Sequence, residues 1–192
     1  MDYDGEEDEV VPDIVTMGKP MGGGMPLAAL VTTKKVAAAF EDMGVEYFNT
    51  FGGNPVCAAA GLAVLDTIEA ENLQQKALEV GGYLKAKFVQ LMDKLPIIGD
   101  VRGSGFFLGI ELVRDRQTLE AATEETSFIC SVLKEKYKIL TSIDGLFENV
   151  LIIKPPMVFS KEDCDYFVDS FQGAVSNLRD AGDIRKLEKT PT

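Results

Sequence analysis

The sequence predicts an α/β fold followed by a smaller α+β domain, and three observations carry that expectation. A short apolar run, Leu27 to Val31, is followed by a helical pattern over Lys34 to Met43. Apolar residues then recur at spacings of three and four through Leu73, Ala77, Val80, Leu84, Phe88, Leu91 and Leu95. Beyond Pro96 the period changes to two, with Phe106, Leu108, Ile110 and Leu112 alternating with Phe107, Gly109 and Glu111, as in a sheet with one covered face.

Taken in order, residues 1–10 read as an acidic flexible N-terminus, six acids falling within the first nine positions. Residues 11–70 form the α/β part. Thr32 or Thr33 caps its first helix, which turns Val36, Ala39 and Phe40 inward. The Gly52-Gly53-Asn54-Pro55 turn opens the next, since proline needs no N–H partner in a first helical turn. That helix starts small, at Ala58, Ala59, Ala60 and Gly61, which suits close packing. Residues 71–95 continue it as one long or kinked connecting helix, weakest at Gly81-Gly82, at about 1 kcal/mol per glycine relative to alanine.

Residues 96–180 form the small domain. Ile97 to Arg102 and Phe106 to Val113 are strands around a Gly103-Ser104-Gly105 turn. Thr123 starts a helix burying Phe128, Ile129, Val132 and Leu133, and further strands are expected at Lys138 to Ser142 and Val150 to Ile153. Ser160 with Asp163 resembles a capping box, ahead of an inward stripe of Cys164, Phe167, Val168, Phe171 and Val175. Residues 181–192 read as a loose polar tail.

Composition narrows the chemistry. The formal charge is −12, from 31 acidic against 19 basic side chains, which disfavours nucleic acid and anionic membrane surfaces as partners. Cys57, Cys130 and Cys164 are widely spaced among apolar neighbours, which suits reduced core thiols in an intracellular compartment, cytoplasm or mitochondrion. No targeting or membrane-spanning segment is expected. Histidine is absent, so histidine-based triads, bases and metal ligands are excluded, and no metal site is expected. Lysine becomes the natural nucleophile.

One lysine stands out. Lys19 lies between the apolar pair Ile14, Val15 and the triplet Gly22 to Gly24, and a primary amine there can form an imine with an aldehyde if its surroundings keep it partly neutral. The run Val11 to Ala28 around it, with Lys19-Pro20-Met21-Gly22-Gly23-Gly24, resembles the lysine segment of the class III pyridoxal-phosphate aminotransferases. Tyr47-Phe48-Asn49-Thr50-Phe51-Gly52-Gly53-Asn54-Pro55 is similar to that family's second signature. The Gly18-Lys19-Pro20 order and the Glu46 to Thr50 run look closest to the phospho-lyase branch acting on phosphoethanolamine and phosphohydroxylysine, often described as alanine-glyoxylate aminotransferase 2-like.

The resemblance runs from about Val11 to about Arg179 and covers only the C-terminal half of such an enzyme. It implies fold type I of the pyridoxal-phosphate enzymes, with 11–70 the end of the large cofactor domain. It also implies that Lys19 is the catalytic residue, joined to pyridoxal 5′-phosphate as a Schiff base and then shuttling a proton. Thr50 is implied to bind the cofactor phosphate from the partner subunit. Arg102, between two strands, is a candidate anchor for a substrate carboxylate or phosphate, or equally a salt-bridge partner. Asp8-Glu9-Val10 looks like the family's Asp-Glu-Val segment, but only eleven positions before Lys19, so no role is carried to Asp8.

Two positions depart from the pattern: Met25 stands where the phospho-lyase branch usually has histidine, and Ile152 where many class III aminotransferases have an arginine. The expected function is transamination or phosphate elimination on a small amine or phosphorylated amino compound. The expected assembly is a homodimer or a dimer with a full-length paralogue. The alternative is a catalytically inactive truncated paralogue or half-subunit that acts only as an interaction module.

Overall fold

The computed structural model describes residues 11–180, so the acidic N-terminus and the polar tail lie outside the described residues. The described residues divide into two compact units between Glu71 and Asn72.

In the first unit, β1 (Ile14–Met17) and β2 (Ala29–Thr32) pair antiparallel, Ile14 opposite Thr32 and Met17 opposite Ala29. The Thr32 hydroxyl donates to the Asp13 carbonyl at 2.8 Å and closes the open end of this ribbon. Helix α1 (Lys34–Asp42) begins where the sequence places it, with the Thr33 hydroxyl accepting from the Val36 N–H at 3.3 Å. Helix α2 (Pro55–Ala70) is capped by Asn54, whose side-chain oxygen accepts from the N–H groups of Val56 (3.0 Å) and Cys57 (3.1 Å).

The expected continuous connector is instead two helices. The backbone breaks at Asn72, which takes a left-handed conformation (φ 50°), and α3 (Leu73–Met92) follows as part of the second unit. The glycines singled out as its weak point lie inside the unbroken helix. Gly81 is buried and has a packing reason: a Cβ there would run into the backbone of Gly105. Gly82 is exposed, with nothing within 4 Å of the same construction.

The second unit is a layer of helices on an antiparallel sheet. Strands β3 (Ile98–Ser104), β4 (Phe107–Asp115), β6 (Ser142–Asp144) and β7 (Val150–Ile153) lie in the order β3-β4-β7-β6, and β5 (Glu120–Ala121) pairs with the end of β4. Helix α4 (Thr123–Tyr137) ends at Lys138 in a left-handed C-cap, which makes 138–141 a connector and delays the expected strand to Ser142. Helix α5 (Lys161–Asp180) completes the layer.

Alternation places Leu108, Ile110 and Leu112 in the core while Phe107 stays 60% exposed. Phe88 of α3 is fully buried, its ring centroid 5.6 Å from Phe167 and 5.2 Å from Phe171 of α5. Pairs of this kind add about 1 kcal/mol beyond area burial. Burial also pushes the Cys164 thiol up to about 11, consistent with an inert core cysteine.

The capping box holds: the Ser160 N–H donates to Asp163 at 2.9 Å, the Ser160 hydroxyl donates to the same carboxylate at 2.8 Å, and the Asp163 N–H returns a bond at 3.1 Å. Those two Ser160 bonds, the backbone one first, hold the Asp163 carboxyl below the ordinary aspartate range.

Two outcomes follow from these contacts. Gly81→Ala lowers stability by about 1–3 kcal/mol through overpacking against Gly105, whereas Gly82→Ala raises it by up to about 1 kcal/mol through helix propensity; urea midpoints of the two variants read the opposite signs. Because the folded Asp163 pKa is depressed, its contribution is present above about pH 4 and lost as pH falls through the lowered value. The difference in melting temperature between wild type and Asp163→Ala therefore stands at pH 7 and closes in strong acid.

Candidate active site

The turn that carries Lys19 is built from the end of β1. Gly18 is extended, Lys19 to Gly22 make one 3-10 turn, and Gly23 closes it in the left-handed region (φ 56°), its N–H bonding the Pro20 carbonyl at 3.1 Å. The Met25 N–H bonds Gly22 at 3.0 Å, after which the chain enters β2. Lys19 itself has φ 44°. For a residue with a Cβ that conformation costs roughly 1–2 kcal/mol, and such strain persists only where surrounding contacts fix it. The Lys19 side chain faces solvent.

Thr50 sits in a second, exposed turn. The Asn49 side chain accepts from the Phe51 N–H at 2.9 Å and its carbonyl accepts from Gly52 at 3.0 Å, an Asx turn that leads directly to the Asn54 cap. Asn54 already takes the N–H groups of Val56 and Cys57, and Pro55 has none, so the amide donors of α2's first turn are satisfied within the protein. The Thr50 hydroxyl in the turn is a donor of the kind an anion at this end would use.

Both turns belong to the first unit, and α2 packs on the lysine turn. An apolar cavity of about 1090 Å³ in the same unit is lined by residues such as Ile14, Leu27, Leu30, Phe40, Tyr47 and Phe51. Lys19 and Thr50 do not line it themselves, but Asn49, Phe51, Gly52 and Gly53 of the Thr50 turn do, so the cavity adjoins that turn.

Arg102 lies on β3 of the second unit, opposite Gly109 of β4, which is opposite Ile152 of β7. Its Nη1 donates to Asp100 at 2.8 Å and to Glu111 at 2.5 Å. These bonds, that to Asp100 first, raise the guanidinium pKa further. The salt-bridge role weighed in the sequence is thus present, and the half-exposed pair contributes at most about 1 kcal/mol.

Sequence reasoning did not find Asn54 as the cap joining the Thr50 turn to α2, although asparagine directly before a helical proline is a readable signal. It also missed the arginines that brace the second unit. Arg114 reaches Glu120, Glu124 and Glu125, and Arg116 bonds the carbonyls of Met92, Leu95 and Ile98. Among the described residues no helix is long and apolar enough to cross a membrane.

Comparison with known proteins places this architecture. The family model described as aminotransferase class III matches residues 3–175. The mitochondrial alanine–glyoxylate aminotransferase 2 homolog 2 of Arabidopsis thaliana is 49% identical over 173 residues, covering 90% of this chain and 36% of the relative. The ethanolamine-phosphate phospho-lyase homolog 1 of Caenorhabditis elegans is 43% identical over 155 residues, covering 81% of this chain and 33% of the relative. A phospholyase from Arthrobacter, solved in complex with phosphoethanolamine, superposes with a TM-score of 0.81 at 36% identity, over 87% of this chain and 39% of that one.

The chain thus spans about a third of the length of the curated relatives it matches. The fold class expected from the sequence is borne out, and so is the resemblance to the phospho-lyase and alanine–glyoxylate aminotransferase 2 relatives. With the family model matched over most of its length, the chain belongs to the class III aminotransferases, a family dependent on pyridoxal phosphate.

Proposed function

We propose that this chain is the lysine-bearing portion of a pyridoxal-phosphate transaminase or phospho-lyase acting on a small amine or a phosphorylated amino compound. The observation that carries the reading is Lys19, a strained and exposed lysine within the segment that resembles the family's lysine segment. The donor set fits the cofactor: a primary amine for its aldehyde, and a hydroxyl in a separate turn for its phosphate. When bound, pyridoxal phosphate supplies the electron sink that stabilises negative charge at the substrate carbon.

The protein's own part is binding and proton transfer. Lys19 Nζ would hold the cofactor through its aldehyde and, as a free amine, would move a proton at the substrate carbon. Thr50 would donate its hydroxyl to the phosphate, across a subunit interface if two copies associate. Arg102 keeps Nε and Nη2 for a substrate anion, Nη1 being committed to Asp100 and Glu111. The phospho-lyase branch is supported by Ile152, whose apolar side chain offers no partner to a carboxylate, and by the phosphoethanolamine-bound relative. A reducing compartment, cytoplasm or mitochondrion, is supported by three free cysteines and by the mitochondrial relative.

A second reading, an interaction module without catalysis, is favoured by one observation. The first unit leaves Tyr47 (74%), Phe48 (83%), Val56 (62%) and Leu62 (62%) exposed, more apolar surface than its own elements cover.

Borohydride reduction of the chain with pyridoxal phosphate, followed by peptide mapping, separates the two. A fixed adduct confined to Lys19 supports the enzyme reading, and phosphate release from phosphoethanolamine then selects the lyase. Label scattered over Lys34, Lys35 and other surface lysines leaves the interaction reading. Lys19→Gly abolishes the specific adduct and raises stability by up to about 1 kcal/mol, because glycine relieves the left-handed backbone; adduct yield and urea midpoint check the two halves of this outcome.

A further inference from the structure

We propose that the seating of Leu27 on Gly61 of α2 positions the lysine turn, making Leu27 and Gly61 positioning residues for Lys19. The inference deepens the reading of Lys19 as the cofactor lysine and rests on it.

The lysine turn has few fixed points of its own, three backbone bonds within residues 18–25, the one that spans Lys19 being the longest at 3.4 Å. Its other restraints come from α2. The δ2 methyl of Leu27 occupies the space in which a Cβ on Gly61 would stand, and the Met21 carbonyl lies 3.8 Å from that same point. One helical turn on, Val64 meets Gly23, where an added Cβ would lie 3.0 Å from the valine methyl. The root of Leu27 is held as well, because a Cβ on Gly22 would stand 3.2 Å from the Leu27 Cβ. Leu27 is therefore a pin, its base against the lysine turn and its tip in a notch on the helix.

Gly22 and Gly61 are both buried in a unit where most side chains are exposed. Glycine inside a helix costs about 1 kcal/mol relative to alanine, and the notch is what that glycine provides. The strained φ of Lys19, only two residues before Met21, needs this external hold to persist. Since α2 is also tied through Asn54 to the Thr50 turn, one rigid helix sets both signature turns.

The test compares Gly61→Val, Leu27→Ala and the volume-conserving Leu27→Met. Valine drives its methyls toward the Met21 carbonyl, alanine removes the pin, and methionine still reaches the notch. The readout is competitive acetylation of Lys19 against Lys34 and Lys35 in the same chain, by mass spectrometry over a pH series without cofactor, with circular dichroism to follow α2. Gly61→Val and Leu27→Ala are expected to change the relative labelling of Lys19 by roughly threefold or more, with Leu27→Met close to wild type.

Unchanged Lys19 labelling in both disruptive variants, with helix content retained, overturns the proposal. If Gly61→Val does not fold, Leu27→Ala against Leu27→Met decides alone. The borohydride adduct is scored separately. Labelling that shifts as expected while no adduct forms at Lys19 sinks the cofactor reading and leaves the mechanical coupling, and the reverse result sinks only the coupling.

Discussion

A ribbon of two four-residue strands has two faces and little with which to cover them, and this constraint governs the first unit. Helix α1 buries none of its residues, and α2 buries only Cys57 and Gly61. Ile14, Val15, Leu30 and Val31 all remain at least 40% exposed on the paired strands. Whatever order the unit has must come from hydrogen-bonded turns, caps and a few close contacts. That is why glycines and asparagines, more than large apolar side chains, fix the positions of Lys19 and Thr50.

The second unit answers the same problem differently. Its sheet is covered on one face by α3, α4 and α5, and Leu84, Phe88, Ile110, Leu112, Ile129, Leu133, Leu151 and Phe171 lose essentially all contact with solvent. Each large apolar side chain buried there contributes roughly 1.5–3 kcal/mol, a source of stability that the first unit has little of. Polar side chains then act at the periphery: Tyr83 and Lys87 share Asp165, and Asn149, though buried, donates to the Leu112 carbonyl at 2.9 Å. The large buried core thus lies in one unit and the strained Lys19 in the other.

What the sequence revealed follows from where the physics is local. The Thr33 and Ser160–Asp163 caps, the Pro55 start and the alternation along β4 depend on neighbours within a few residues, and the structure has them where the pattern placed them. The break at Asn72 was misplaced to Gly81-Gly82 because glycine's low helix propensity was weighed without Gly105, a contact 24 positions away that requires the small residue. The strand expected from Lys138 failed for a related reason: its residues are apolar enough, but Lys138 itself takes the left-handed cap of α4. At the site, the residue types around Lys19 and Thr50 were legible, whereas the strain at Lys19 and the register that brings Glu111 to Arg102 are properties of the folded backbone alone.

That register has a consequence for selectivity under the proposed function. Arg102, Gly109, Ile152 and Ser142 form one row across the sheet, and a Cβ on Gly109 would lie 3.9 Å from both the Arg102 stem and the Ile152 tip. An arginine at 152 would therefore meet Arg102 across a residue without a side chain, setting two cations beside the single pair of carboxylates, Asp100 and Glu111, that already engages Arg102. Isoleucine removes that repulsion and leaves the row with one guanidinium. Its free Nε and Nη2 edge matches the two oxygens of one carboxylate or phosphate. Under the proposed function, a substrate with one anionic group would fit such a row, and a second anion beside it would meet the apolar tip of Ile152.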